Sequence, residues 1–419
     1  MSACQFSVLF LVALAAGCAL HLWLQSRQIR HVGAHRDAVP ADFSETIPLN
    51  AHQRSADYTA AKCRFKRIET VYEALLLLAF TFGGAIGWLD AASRALSDSP
   101  ILTGLALLAG FTVLNGLLTL PLSVYSTFGI EARFGFNNIT PKLFVQDLIK
   151  SSLLTGLIGL PLAALVLWLM QHMGDAWWLW VWATWVGFTV LLMLVFPTWI
   201  APLFNKFSPL TDESLRQKIE SLLARCGFKS SGVFVMDGSK RSSHGNAYFT
   251  GLGQSKRIVF FDTLLKQLSE QEILAVLAHE LGHFKHKHIV KQMAVSFALG
   301  LLVLAVLGFF IREPGFYLGL GVDSASHAMA LLLFFLVLPV FTFPFSPLSG
   351  WMSRRNEFEA DRFAAAESSA DDLINALVKL YRSNARSLVG DSWYSRFYDS
   401  HPGARERIGA LQRAGGARE

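Results

Sequence analysis

Charge is scarce in this sequence. Asp, Glu, Lys and Arg make up 16% of its 419 residues, where a soluble globular chain carries roughly 25%. Hydrophobic residues reach 53%, with 33 Phe and 11 Trp, and mean hydropathy is +0.39. Lipid is therefore the expected solvent for much of the fold, and disorder, collagen and coiled coil are excluded. Cysteine is scarce too. Cys4, Cys18, Cys63 and Cys226 are too few and too scattered for a disulfide framework, a zinc knuckle or a redox pair. Internal repeats and low-complexity tracts are lacking, which removes support for a transporter built from repeated halves. A formal net charge of +6 in a membrane protein reflects cationic cytoplasmic loops, so no nucleic-acid partner is expected.

What the chain does have is long apolar runs. A span takes about 20 apolar residues, and seven stretches qualify: 4–24, 72–92, 101–123, 152–171, 177–200, 292–311 and 327–348. The first has nothing basic before it and stays apolar past Cys18 to Leu24, so it reads as a retained span and not a cleaved signal. Lys and Arg crowd the segment after span one, the loop 124–151, the segment 201–291 and the tail, while the opposite side holds only Arg94 and Arg312. The positive-inside rule then puts the N-terminus outside and the C-terminus in the cytoplasm.

Four regions follow: 1–204 with five spans, a soluble segment 205–290, spans six and seven in 291–348, and a second cytoplasmic segment 349–419. In the first soluble segment a helix is expected from Asp212 to Cys226, ended by Gly227. Strands are expected at Val233–Met236, Ala247–Phe249 and Ile258–Phe261, with turns at 238–240 and 251–253. Ser269-Glu270-Gln271-Glu272 is a capping box opening another helix.

That helix carries Leu277-Ala278-His279-Glu280-Leu281-Gly282-His283, an HExxH motif. Residues i and i+4 share a helical face, so His279 and His283 can present imidazoles to one ion, with Glu280 placed to take a proton from the attacking water. Catalytic zinc typically takes three protein ligands. The metzincin pattern fails, because positions 286 and 289 hold His and Ile. An intramembrane zinc protease is disfavoured, because Phe284-Lys285-His286-Lys287-His288 is too polar for lipid. A glutamate on a second helix remains, and Asn356-Glu357-Phe358-Glu359-Ala360-Asp361 supplies it. Glu357 and Asp361 share a face. The first can bind the metal while the second accepts the free N–H of a ligating histidine. Glu359 points elsewhere, towards neighbouring arginines.

At this point the chain resembles the integral-membrane CAAX prenyl protease 1 family of zinc metalloendopeptidases. The likeness rests on HELGH, on NEFEAD, on Glu131–Asn137 with Thr140, and on Ala201–Phe207, Gly238–Phe249 and Asp399–Pro402. It implies a mostly α fold in which seven spans form a helical barrel around a chamber, with a cytoplasmic gluzincin-like domain containing a small β-sheet. It implies one Zn2+ per chain at His279, His283 and Glu357, with Glu280 as general base. Asn246 and Ala247 match an edge strand that pairs with substrate. His401 matches an oxyanion-stabilising histidine and Arg407 a nearby basic position in contact with substrate. Gly403 stands where the family often has a second proline.

The implied substrate is a prenylated CAAX-type protein or another membrane-associated peptide, handled in the lipid bilayer by a monomer. A bacterial member in the inner membrane is preferred to one in the endoplasmic reticulum. Two alternatives stay open here. One is a general quality-control protease. The other is a transporter or scaffold with a closed structural metal site, in which His244, His286 or His288 supplies a fourth ligand. His286 otherwise reads as a polar collar at the entry to span six.

Overall fold

A computed structural model of the chain describes residues 1–250 and 257–416. The apolar runs fold into long helices: α1 (Ala3–Ala34), α2 (Leu49–Phe80), α3 (Ala85–Arg94), α4 (Pro100–Val124), α5 (Pro141–His172) and α6 (Trp177–Val195). The soluble segment follows as β1 (Phe207–Pro209), α7 (Glu213–Arg225), β2 (Val233–Met236), β3 (Ala247–Thr250), β4 (Arg257–Phe261), α8 (Asp262–Gln267) and α9 (Glu270–Lys285). Two more membrane helices, α10 (His288–Phe310) and α12 (His327–Thr342), flank the short α11 (Pro314–Leu318). The chain closes with α13 (Ser346–Glu367), α14 (Ala370–Ser383), α15 (Ser392–Tyr398) and α16 (Ala404–Gly416).

Six stretches are long and apolar enough to span a membrane, and a bent pair, α2 with α3, makes a seventh. The run expected at 72–92 is thus broken in its middle, by 48°. The cause is local. Gly84 takes φ +76, and a Cβ on Gly83 would sit 2.6 Å from the Ala79 carbonyl oxygen, so only this glycine pair allows the turn. The Thr81 amide and hydroxyl both donate to the Leu77 carbonyl, at 3.0 and 2.7 Å, and close the last turn of α2.

The membrane helices form a bundle whose packing is uneven along its length. Their buried side chains cluster at one end: Phe6 and Phe10 of α1, Leu107 of α4, Leu167 and Met170 of α5, Trp177 of α6, Leu307 of α10 and Met329 of α12. In the five spans α1, α4, α5, α6 and α10, only 6–17% of the most apolar stretch is buried. Close-packed helices bury a continuous stripe. Here packing is tight near the 94–100, 172–177 and 311–327 connections and open towards the other end.

The soluble segments dock at that open end around a separate core. It joins Ile219 and Leu222 of α7, Ile258 and Phe260 of β4, Ala278 and Leu281 of α9, Ala364 of α13, Leu373 of α14 and Ile408 of α16. The sheet order is β1-β2-β4-β3. β2 and β4 run parallel, with Val233 opposite Ile258, and β3 pairs antiparallel, with Ala247 opposite Phe260. That leaves β3 as an edge. The sequence reading missed β1, whose three residues end in a proline and show no alternation. The turn expected at 251–253 lies outside the described residues.

Candidate active site

Two helices bring the site together. At the start of α9 the Ser269 hydroxyl accepts from the Glu272 amide while the Glu272 carboxylate accepts from the Ser269 amide. A cap of this kind stabilises by about 1 kcal/mol and fixes where the HExxH turn falls. Gly282 then sets the approach of α13. A Cβ at this position would lie 2.9 Å from the Ala360 Cα and 3.1 Å from its carbonyl oxygen, so the absence of a side chain lets the two backbones touch. Glu357 and Asp361, one turn apart on α13, thereby face His279 and His283.

The resulting geometry is compact. His279 Nε2 and His283 Nε2 are 3.2 Å apart. Glu357 Oε2 lies 3.5 Å from His279 Nε2 and Oε1 lies 3.4 Å from His283 Nε2. A tetrahedral ion with bonds of about 2.0–2.1 Å would hold its ligand atoms about 3.3–3.4 Å apart. The three side chains match that spacing, and they are the metal-capable group found among the described residues. Glu357 Oε2 is buried with no hydrogen-bond partner there, and two imidazole nitrogens face one another where an ion would reconcile them. With the imidazoles neutral, the carboxylates of Glu357 and Asp361 outnumber the single guanidinium of Arg407, and a cation offsets the difference. The residues fit a metal.

Each neighbour has a definite place. Asp361 Oδ1 accepts from His279 Nδ1 at 2.8 Å, which leaves Nε2 as the free lone pair. Arg407 is 5% exposed. Its Nε and Nη2 donate to Asp361 at 2.7 and 2.8 Å, and Nη1 lies 3.4 Å from Glu357. The resemblance put Arg407 in contact with substrate; its guanidinium pairs with two carboxylates, and the residue also lines the cavity that holds Asn246 and Ala247. His401 Nε2 reaches to 3.5 Å from Glu357 Oε1, and its Nδ1 is 2.9 Å from the Ser400 hydroxyl. Burial holds the His401 pKa below the ordinary histidine value, although Glu357 pulls the other way, so the ring is neutral near pH 7. Burial pushes the Glu280 carboxyl up, opposed by His279 and His283. Burial and Arg407 push His279 down, but Asp361 and Glu357 outweigh them and raise it to about 9 in the absence of an ion, so a metal at Nε2 binds in competition with a proton.

His279, Glu280, Glu357, His401 and Arg407 line a cavity of about 190 Å³ that also takes in Asn246 and Ala247 at the start of β3. A second cavity, about 970 Å³, shares Tyr381, Asn384, Arg386 and His401 with it and reaches Gln28 on α1 and Tyr58 on α2. The site therefore opens into the space beneath the bundle. The Asn384 side chain accepts from the Gly245 amide at 3.1 Å and donates to its carbonyl at 3.3 Å, pinning the entry to β3. Sequence reasoning missed Asn384, because no motif marks it.

The proposed fourth ligands go elsewhere. His244 stacks on Phe136 at 4.3 Å and faces Glu131 and Asn384. His286 stacks on His288 at 5.5 Å, and His288 contacts the far nitrogen of His283. Glu359 meets Arg355 at 3.3 Å, as expected, and also His288 at 3.1 Å.

Long apolar helices joined to an HExxH helix and a third carboxylate define a membrane-embedded metallopeptidase. A family model described as CAAX prenyl protease N-terminal, five membrane helices, matches residues 28–206, and that of peptidase family M48 matches residues 209–414. The CAAX prenyl protease 1 homolog of Oryza sativa is 36% identical, with 95% of each chain covered. CAAX prenyl protease 1 of Saccharomyces cerevisiae is 35% identical over 89% of this chain and 88% of its own. The crystal structure of S. mikatae Ste24p superposes with a TM-score of 0.89 at 32% identity, covering 97% of this chain and 98% of that one. The chain belongs to the CAAX prenyl protease 1 family. It is a multi-pass membrane metalloendopeptidase, and the transporter or scaffold reading is not favoured.

Proposed function

We propose that this chain is a zinc endopeptidase that cuts near the C-terminus of prenylated CAAX-type proteins or other membrane-associated peptides. His279, His283 and Glu357 hold one Zn2+, which when bound activates water and polarises the scissile carbonyl. The observation that carries the reading is the continuity of space from the edge of β3, past this group, into a larger cavity that reaches Gln28 on α1 and Tyr58 on α2. A peptide bound as an extended strand needs a free sheet edge beside the metal group and room for the rest of its chain, and these meet here.

Substrate backbone adds to the free edge at Asn246 and Ala247, where main-chain hydrogen bonds hold it in register. Glu280, facing the cavity beside both histidines, accepts the proton of the attacking water and delivers it to the leaving amine. With the Ser400 hydroxyl donating to Nδ1, His401 presents Nε2–H to the developing oxyanion. Asp361 keeps His279 in the tautomer whose Nε2 is free, and Arg407 steadies Asp361 and Glu357. Arg386 lines both cavities and has no carboxylate partner among the described residues, which suits a peptide that ends in a carboxylate.

A single chain supplies every group, in keeping with a monomer, and the loop charges support an external N-terminus with the site on the cytoplasmic side. The test is cleavage by the purified protein of farnesylated and unmodified peptides ending in CAAX, read by mass spectrometry with and without chelator. Release of the last three residues from the farnesylated peptide, lost with chelator, is expected. Equal cutting at scattered bonds of any unfolded membrane peptide would favour quality control instead.

A further inference from the structure

His283 lacks the carboxylate that His279 has, yet its outer nitrogen is not idle. Its Nδ1 lies 3.0 Å from His288 Nδ1, and His288 Nε2 lies 3.1 Å from Glu359 Oε2. His288 is 3% exposed. A continuous helix would turn residue 288 about 140° away from His283. Instead α9 stops at Lys285, and Lys287 takes φ +55 before α10 begins. A lysine in the left-handed region costs roughly 1–2 kcal/mol. Strain held at a site edge points to a function for the residue it positions. Here it folds the chain back so that the His288 ring meets His283.

Resting on the metal reading above, we infer that His288 and Glu359 form a proton-ordering relay that positions His283 for the metal. The two facing Nδ1 atoms need one donor and one acceptor. If His288 donated, its Nε2 would turn a lone pair towards the Glu359 carboxylate, and His283 would carry its proton on Nε2, where the ion must sit. The Glu359 carboxylate disfavours that arrangement. It accepts Nε2–H of His288, so His288 Nδ1 accepts from His283 Nδ1–H and the His283 Nε2 lone pair is free. Each metal-facing histidine then has its own carboxylate: Asp361 directly for His279, and Glu359 through an imidazole for His283. His288 is a positioning residue and touches neither metal nor substrate.

The test is the zinc affinity of the full-length apoprotein in detergent, measured by competition with a chromophoric chelator. His288→Phe fills the space but accepts nothing, and zinc should bind roughly 10–100-fold more weakly. His288→Asn sets an amide oxygen near the place of Nδ1 and should recover most of that loss, which a packing role would not predict. Glu359→Gln, near the surface, should weaken zinc several-fold with the thermal unfolding of the zinc-loaded protein unchanged. Wild-type affinity in His288→Phe, or an Asn variant as weak as Phe, would overturn the relay. Failure of the wild-type protein to hold zinc would overturn the metal reading instead.

Discussion

At the scale of single residues the site is a problem in placing lone pairs. Glu357 and Asp361 sit one helical turn apart and face the same imidazole, but of the two only Glu357 carries a buried oxygen with no hydrogen bond. Replacing Glu357 with Ala should abolish stoichiometric zinc, as read by inductively coupled plasma mass spectrometry. Asp361→Asn should instead cost about 10–100-fold in affinity. Asparagine is the better probe there, because alanine would also remove every acceptor that Asp361 offers the buried Arg407 guanidinium, a loss that would mask the effect on the metal. Both carboxylates were legible in the sequence, since helical periodicity places residues 357 and 361 on one face. His288 was not legible as a partner of His283. Its position depends on a positive φ at Lys287, and nothing in a lysine codon announces one. Arg407 was visible as a basic position, but its commitment to Asp361 follows from how α16 docks on α13.

At the scale of elements, the contact between α9 and α13 decides whether a metal can be held. Gly282 lies inside the HExxH motif but is not among its chemical positions. Its role is steric, because the Cβ of an alanine would press on backbone atoms of Ala360 that cannot rotate away. Gly282→Ala should destabilise by about 1–3 kcal/mol, the range for overpacking. It should also loosen zinc by moving Glu357 outward, so a lowered melting temperature should accompany a raised zinc dissociation constant. The capped start of α9 and strands β2 to β4 were readable because capping boxes and β-branched runs are local signals. The bend between α2 and α3 was hidden inside an apolar run whose hydropathy does not dip at two glycines.

At the scale of the whole molecule, a bundle of membrane helices packed tightly at one end carries a catalytic unit docked at the other. Its parts come from distant stretches: α9 from between membrane helices, Glu357 from after the last span, His401 from near the end of the chain. They can meet only if residues 230 and 419 lie on the same side of the membrane. Reporters fused after residue 419 or inserted near 230 should therefore both read as cytoplasmic, and reporters near 97 or 320 as external. Opposite readings at 230 and 419 would be incompatible with the assembled site. The spans were legible from hydropathy. How tightly they pack along their length was not, because hydropathy does not say whether an apolar face meets lipid, another helix or an open space.

The most direct measurement is zinc content and peptide hydrolysis determined on one purified sample of Glu280→Gln. Glutamine keeps the size of the side chain and removes its basicity, while His279, His283 and Glu357 are untouched. Zinc should stay near one per chain and cleavage should fall by the ~10²–10⁴-fold typical of losing a general acid–base group. Near-normal cleavage by that sample, with contaminating proteases excluded, would contradict the assignment of Glu280 as the base and with it the proposed chemistry.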